Sequence, residues 1–264
     1  MSLAERLRAS VRAKLLALVL APLMLGFPLI MGLLWYWGEV YYHRLMVSRV
    51  ASDLATAHGY FERVIDGVGN SVQALAGSHA LAQTLAHETP DAVVALLGAR
   101  KDGLALDFLN LLDLNGRVLH SSTAMAAGSA RGDWSIVHRA IRARGGSVVE
   151  RFAPDELAAI DARLRERARL PLVDTARARP DSRSQEERGL VVHAAAPVLD
   201  AAGNLVAVLE GGVLLNGNLD FVDTLNAVVY RDGTLPEGSQ GTATLFIDDV
   251  RIATNVRLFE GARA

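Results

Sequence analysis

The sequence has 264 residues, with 27 basic and 29 acidic side chains, so its formal net charge is -2. Such a balanced chain has no overall positive field to attract nucleic acid, which excludes a general nucleic-acid-binding protein. It contains no cysteine. Disulfides, thiolate zinc sites, cysteine nucleophiles and cysteine-bound iron–sulfur clusters are therefore excluded.

An apolar segment at residues 15–37 carries no charged side chain. As a helix it would be roughly 35 Å long, enough to cross the roughly 30 Å hydrocarbon core of a bilayer with some tilt. Its prolines, Pro22 and Pro28, are tolerated in membrane helices. We therefore predict a transmembrane helix at 15–37, preceded by a cytoplasmic basic tail at 1–14.

Charge is distributed unevenly around this segment. Before it lie one acid and four basic residues, namely Glu5, Arg6, Arg8, Arg12 and Lys14, whereas Glu39 and then Arg44 and Arg49 follow it. Because positive charge stays on the cytoplasmic side, the amino terminus should be cytoplasmic and the rest of the chain should lie outside the cytoplasm. A cleaved signal peptide is the alternative, but the apolar run is long and no small-x-small cleavage site follows it.

The proline-free stretch at 39–86 predicts one long helix. Apolar residues recur along it at steps of three and four, at Val50, Leu54, Ala57, Phe61, Val64, Val68, Val72 and Leu75. Two interpretations of this stripe stay open: packing against the core of its own domain, or a seam with a second copy of the chain.

The middle of the chain alternates short helices and strands. Helices are predicted at 91–100, 134–143 and 154–169, and strands at 105–112, 117–121 and 147–152. The dipeptide Asn115-Gly116 predicts a hairpin turn between the first two strands. A polar, mobile loop is predicted at 171–188.

A long antiparallel hairpin is predicted from strands at 189–199 and 204–215, with an interruption near Pro197. A helix at 216–229, a linker at 231–240 and a second hairpin at 241–256 follow. No later element is present for this last hairpin to pack on, so it is expected to open a second domain. The Gly-Gly pairs at 145–146 and 211–212 are interpreted as turns or close strand packing.

Two stretches carry a family resemblance: ERGLVVHAAAPVLDAAGNLVAVLEGGVLLNGNLDFVDTLN at 187–226 and GTATLFIDDVRIATNVRLFEGARA at 241–264. With the preceding span and long helix, the chain resembles the extracytoplasmic Cache sensor domain of bacterial transmembrane receptors. The resemblance implies an α+β fold, with a PAS-like domain and antiparallel sheet at 39–230. The stretch at 241–264 resembles the start of a second Cache unit, whose Gly-Thr-Arg-type segment is missing.

The same resemblance implies the ligand-sensing input region of a two-component sensor histidine kinase, anchored in the bacterial inner membrane with its sensor domain in the periplasm. A chemoreceptor or diguanylate cyclase sensor region, or a membrane-anchored binding module without output, are the alternatives. The sequence has no phosphoacceptor helix, ATP-lid glycine motif or GGDEF-like run, so we expect no enzymatic activity from this chain. We expect a homodimer through the long helix.

The resemblance also places a ligand pocket between the sheet and the helix at 134–143. Trp134, His138 and Arg142 are spaced by four and would share a helix face. Arg131 and Arg142 would hold the carboxylate of a small organic anion while Trp134 covers its apolar part. The alternative is that Trp134 belongs to the core and Arg142 is solvated.

Two polar residues, His193 and Glu210, interrupt apolar strand runs. Because strand side chains alternate between faces, each points either into the pocket or to solvent. No histidine pair has the spacing of a metal motif, and no nucleophile or phosphate-loop motif occurs. We therefore expect no metal, cofactor or catalytic residue.

The anchor interpretation is tested by immunoblotting the mature protein with a carboxyl-terminal tag. We expect the full-length mass, because an uncleaved anchor keeps its amino-terminal residues. Loss of the first ~40 residues would instead identify a cleaved signal peptide.

Overall fold

The computed structural model describes residues 11–173, 183–230, 241–259 and 262–263. Most of the basic tail, part of the predicted polar loop and the linker at 231–240 lie outside the described residues. The chain divides into two compact units, Met1–Ala55 and Thr56–Ala264.

The described residues form helices and antiparallel strands, which confirms the predicted α+β class. The helices are α1 (Val11–Ala76), α2 (His79–His87), α3 (Pro90–Gly103), α4 (Ser135–Ile141), α5 (Pro154–Ile160), α6 (Ala162–Ala168) and α7 (Leu219–Val229). The strands are β1 (Phe108–Leu112), β2 (Val118–Ser121), β3 (Gly146–Phe152), β4 (Leu170–Pro171), β5 (Gln185–Glu186), β6 (Gly189–Leu199), β7 (Leu205–Leu214), β8 (Thr244–Ile247), β9 (Val250–Thr254), β10 (Arg257–Phe259) and β11 (Ala262–Arg263).

Helix α1 contains the apolar segment. Within it, Leu18–Tyr42 is long and apolar enough to cross a membrane, as judged by length and composition. This range begins and ends slightly later than the predicted 15–37. Pro22 and Pro28 lie inside the helix without ending it.

The long helix predicted at 39–86 is in fact two helices. Helix α1 ends at Ala76, and α2 begins after Ser78, whose side-chain oxygen accepts a hydrogen bond from the backbone N–H of Leu81 at 3.2 Å. A serine cap of this kind starts a new helix, and Gly77 favours ending the old one. The prediction of one continuous helix to residue 86 was wrong for this reason.

The helix predicted at 154–169 is also divided, at Asp161. The backbone of Asp161 is extended, with a φ of -159°, and its side chain accepts a hydrogen bond from the N–H of Arg163 at 2.8 Å. It therefore ends α5 and caps α6. Similarly, the helix predicted from residue 216 begins at Leu219, after Asn218 caps the N–H of Phe221.

The central sheet has five antiparallel strands in the order β2-β1-β7-β6-β3. The predicted long hairpin forms its middle, and β6 continues through Pro197, which pairs with Val208. Strand β3 accompanies β6 only as far as Ala195, so Pro197 lies where β6 has a neighbour on one side. A proline is tolerated there, and the predicted interruption does not occur.

The same turn chemistry closes both hairpins of this sheet. Asp113 accepts hydrogen bonds from the N–H groups of Asn115 and Arg117, and Asp200 does so from those of residues 202 and 204, all at 2.8 Å. The glycines of the two turns, Gly116 and Gly203, have φ values of 72° and 83°. Aspartate and a left-handed glycine therefore determine both reversals.

Each face of the sheet has its own apolar core. One face packs against α4, α5 and α6, through Phe108, Leu112, Phe152, Val191, Ala195, Val208 and Leu214 of the strands. The other packs against the end of α1 and against α2 and α3, where Val72, Leu81 and Leu97 are fully buried. The helices therefore enclose the sheet on both faces.

The predicted apolar stripe of α1 has one part that packs within the sheet domain and one part that is exposed. From Ala57 to Leu75, its side chains pack within the sheet domain. Val50 and Leu54 are exposed. Core packing thus accounts for the second part of the stripe, while a seam with a second copy stays a prediction for the first part.

The hairpin of β8 and β9 packs onto earlier parts of the chain. Its buried residues Ile247, Val250 and Ile252 pack against the partly buried Leu170, Leu172 and Leu190. At its tip, Asp248 accepts hydrogen bonds from Arg151 and Arg188, each at 2.9 Å. The hairpin thus buries its apolar side against earlier parts of the chain, while the start of a second domain at 241–264 stays a prediction.

The interpretation of Gly211-Gly212 as close strand packing is confirmed. A Cβ atom on Gly212 would lie 2.8 Å from the Phe108 ring and 2.8 Å from the carbonyl oxygen of Val192. One on Gly211 would lie 3.0 Å from Leu109. Because these glycines have no side chains, Phe108 and Leu109 of β1 can pack directly against the backbone of β7.

We predict that Gly212→Ala lowers the free energy of unfolding by about 1–3 kcal/mol, because the added methyl group overpacks the core. Gly98→Ala is the control, since a Cβ there meets nothing within 4 Å and lies inside α3. It should leave stability unchanged or raise it by about 0.5–1 kcal/mol. Urea unfolding of the full chain in detergent micelles measures both, and equal midpoints for Gly212→Ala and wild type would contradict the prediction.

Candidate functional site

Four polar side chains lie on the face of the sheet that α4 covers. They are Asn110 of β1, Glu150 of β3, His193 of β6 and Glu210 of β7. Successive side chains of a strand point to opposite faces, so residues two positions apart share a face. On β6, for example, His193 lies between the apolar core residues Val191 and Ala195. Since these strands are neighbours, their polar residues meet in the middle of an apolar core.

The carboxylate of Glu210 is the centre of this cluster and is fully buried. Its Oε1 accepts a hydrogen bond from Nε of Arg131 at 2.8 Å and lies 2.7 Å from Nη2 of the same guanidinium. Its Oε2 accepts a hydrogen bond from the Asn110 side chain at 2.9 Å, and Ser121 donates to the other end of that amide at 2.7 Å. The buried carboxylate is therefore surrounded by donors.

His193 bridges two carboxylates. Its Nε2 lies 2.9 Å from Oε1 of Glu210, and its Nδ1 lies 2.5 Å from Oε2 of Glu150. Ser135, at the start of α4, donates to the other oxygen of Glu150 at 2.7 Å. Because ionised carboxylates only accept hydrogen bonds, both ring nitrogens must carry a proton, and His193 is an imidazolium.

Aromatic rings enclose the charged groups. The rings of Trp134 and Phe152 stack with centroids 4.1 Å apart, and the Arg131 guanidinium carbon lies 5.2 Å from the first and 5.3 Å from the second. Both rings also meet the His193 ring at nearly right angles. Cations over aromatic faces are stabilised by the ring quadrupole.

A loop brings Arg131 to the cluster. The backbone N–H of Arg131 donates to the carbonyl oxygen of Gly116 at 2.7 Å. The backbones of Gly116 and Gly132 approach so closely that a Cβ on Gly116 would lie 2.4 Å from Cα of Gly132. The hairpin turn that the sequence predicts at Asn115-Gly116 therefore also holds the loop that carries Arg131.

The pKa values follow from these contacts. Burial alone would raise the pKa of Glu210, but the charge of Arg131 and the hydrogen bond from His193 outweigh burial and lower the pKa from 4.5 to about 2. Burial opposes the charge on His193, yet its hydrogen bonds to Glu150 and Glu210 raise its pKa above the ordinary 6.5. For Glu150 as well, His193 and Ser135 lower the pKa more than burial raises it.

The structure brings together four of the six residues that the sequence singled out: Arg131, Trp134, His193 and Glu210. The carboxylate that Arg131 holds belongs to the chain itself. His138 and Arg142 are exposed, and Arg142 lies just beyond the end of α4. Because Trp134 precedes the helix, a spacing of four residues does not bring His138 and Arg142 next to Trp134. In the structure neither residue belongs to the cluster.

Sequence reasoning missed three members of the cluster: Asn110, Glu150 and Phe152. The signal for the first two was the same as for His193 and Glu210, namely a polar residue inside an apolar strand run. Whether these polar side chains meet depends on the register of neighbouring strands. In the structure Asn110 of β1 is opposite Glu210 of β7, and His193 of β6 is opposite Val148 of β3. Among the described residues, no three histidine, aspartate or glutamate side chains are arranged to hold a metal ion.

No family model matches this sequence, and no curated protein does either. Among solved structures, the chain is similar to the E. coli DcuS sensor domain, at 14% identity and a TM-score of 0.38 over 66% of this chain and 98% of that one. It is similar to the periplasmic domain of Vibrio cholerae LuxQ, at 13% identity and a TM-score of 0.47 over 78% of each chain. It is also similar to the sensor domain of the V. cholerae histidine kinase DctB, at 13% identity and a TM-score of 0.42 over 65% of this chain and 57% of that one. All three are sensor or periplasmic domains.

The cluster predicts how stability depends on pH. The raised pKa of His193 contributes stability that is fully present below 6.5 and is lost as the pH rises through the folded-state pKa. The lowered pKa of Glu210 contributes stability that is present above 4.5 and is lost as the pH falls towards about 2. The unfolding temperature (Tm) of the full chain in micelles should therefore fall on both sides of this window.

In the same experiment, His193→Gln should abolish most of the decline above pH 6.5 and lower the Tm within the window. His138→Gln is the matched control, because its imidazole is exposed. It should reproduce the wild-type profile. An unchanged alkaline decline in His193→Gln would show that this imidazolium does not contribute to stability.

Proposed function

We propose that this chain is the extracytoplasmic, ligand-sensing input region of a membrane-bound signal-transduction receptor, of the sensor histidine kinase class. The observation that carries the proposal is helix α1. It contains the membrane-length segment Leu18–Tyr42, and at its other end Val72, Leu75 and Ala76 are buried in the core of the sheet domain. A change in how the sheet domain packs would therefore act on a helix that continues into the membrane segment.

The buried charged cluster supports a sensing site. Placing Arg131, Glu150, His193 and Glu210 inside a core costs desolvation energy that apolar residues of similar volume would not cost. Buried charged groups whose pKa values are shifted by specific partners, as those of His193 and Glu210 are, make a site a candidate for function. We propose that a small molecule is sensed here, by competing with contacts that the cluster already makes.

A small organic anion, which the sequence predicts, would have to replace Glu210 as the partner of Arg131. The guanidinium is buried, with 3% of its surface exposed, and it already lies against that carboxylate. Anion sensing therefore stays a proposal that requires Glu210 and Arg131 to separate.

The proposal includes two partners, a membrane and a second protein chain. The first is the inner membrane around α1, with the amino terminus in the cytoplasm. The second is another copy of the chain, which would cover the exposed Val50 and Leu54 of α1. The chain itself would perform no catalysis, and the signal would be read by a kinase module.

The absence of cysteine makes the extracytoplasmic location directly testable. Ala201→Cys places a single thiol in the exposed turn between β6 and β7. We expect a membrane-impermeant maleimide to label it in intact spheroplasts, because the sheet domain lies outside the cytoplasm. Ser2→Cys is the control and should be labelled only after lysis. Labelling of Ala201→Cys only after lysis would contradict the proposal.

A further inference from the structure

We propose that Glu210, Trp134 and Phe152 form a binding site for a guanidinium cation. In the structure the chain's own Arg131 occupies this site, and a small external guanidinium compound can take its place. This inference deepens the proposed function, on which its sensory meaning rests, by naming the class of ligand. The site itself does not depend on which side of the membrane the domain lies.

The first argument is that the carboxylate belongs to a central strand, whereas the guanidinium is carried by a loop. Glu210 lies in the middle of β7, paired with Asn110 of β1 on one side and Ala195 of β6 on the other. Arg131 belongs to a loop, and its guanidinium is at the end of a long side chain with four rotatable bonds. The side chain can therefore leave the site while its backbone remains bonded to Gly116.

The second argument is charge balance. Inside the cluster, the carboxylates of Glu150 and Glu210 are matched by the cations of Arg131 and His193. An external cation that replaces the Arg131 guanidinium leaves this balance unchanged. An anion that enters beside the buried Glu210 adds a third negative charge inside the core, which is unfavourable. Exchange of the cation is thus the favoured way to open the cluster.

The third argument is the shape of the site. The stacked Trp134 and Phe152 rings lie at similar distances from the guanidinium carbon, 5.2 Å and 5.3 Å. A planar, weakly hydrated guanidinium suits both aromatic rings and a carboxylate, whereas a compact ammonium ion suits them less well. The site therefore selects guanidinium compounds over simple amines.

The fourth argument is that Arg131 fits the site imperfectly. Both Nε and Nη2 approach the same oxygen of Glu210, at 2.8 Å and 2.7 Å. Although Nη2 is within ion-pair distance, it is buried and makes no hydrogen bond of good geometry. An untethered guanidinium is free to rotate and satisfy its donors, so it can compete with the internal one.

The test uses the full chain in detergent micelles, with Arg131→Ala to empty the site. The Tm of this variant should fall, because Glu210 loses its guanidinium. Methylguanidinium chloride should then raise the Tm by about 3–6 °C at a concentration about tenfold above its Kd. Sodium chloride at equal ionic strength and methylammonium chloride are the matched controls, and both should give smaller shifts.

The double variant Arg131→Ala/Glu210→Gln tests the role of the carboxylate. Methylguanidinium should not raise its Tm. The inference is overturned if methylguanidinium raises the Tm of the double variant equally. It is also overturned if methylguanidinium does not stabilise a folded Arg131→Ala protein more than the two control salts do.

A second measurement decides the matter if Arg131→Ala does not fold. Trp134 is one of three tryptophans, and Trp35→Phe/Trp37→Phe leaves it as the single reporter. With Arg131 intact, methylguanidinium should change its fluorescence saturably, and adding Glu210→Gln should abolish that change. No saturable change, or a change caused by sodium acetate instead, overturns the inference. Neither result alters the maleimide labelling, so failure here and failure of the proposed location are distinguishable.

Discussion

The sheet domain depends on the neutralisation of one carboxylate. Glu210 has no access to solvent, and an unpaired charge in such a position would cost about 3–5 kcal/mol. Its partners come from three different parts of the domain: Asn110 from the neighbouring strand, His193 from the paired strand and Arg131 from a loop. His193 also contacts Glu150 of β3, which accepts a hydrogen bond from Ser135 at the start of α4, so the contacts of one buried charge link the loop, α4 and β3.

The two faces of the sheet have different roles. The face towards the end of α1 is apolar and packs against the buried residues Val72, Leu75 and Ala76 of that helix. The other face combines apolar residues with the charged cluster. Because neighbouring residues of one strand point to opposite faces, Glu210 of the cluster is followed by Gly211, which packs closely on Leu109 and Val72. Two consecutive residues of β7 therefore belong to the charged cluster on one face and to the packing of α1 on the other.

Local chemistry made much of the fold predictable. Aspartate and glycine identify both turns of the sheet, and apolar runs identify its strands. The errors arose where a short polar residue begins a new helix inside a helical pattern, as Ser78 and Asp161 do. Serine and aspartate also occur inside helices, so the residue type alone does not show whether the side chain accepts a backbone hydrogen bond and caps a new helix. The polar residues in the strands could be recognised singly, but their convergence depends on register, which no local pattern contains.

The cluster combines contacts made over very different lengths of chain, and this affects how the domain folds. His193 and Glu210 are 17 residues apart and belong to the two strands of one hairpin, whereas Arg131 and Asn110 are 79 and 100 residues from Glu210. Since closing a longer loop costs more entropy, contacts within a hairpin form before contacts between distant segments. We therefore expect the imidazolium of His193 to meet Glu210 first during folding. The carboxylate then enters the closing core with a positive partner already in place, and the arrival of Arg131 completes an ion pair that the hairpin has begun.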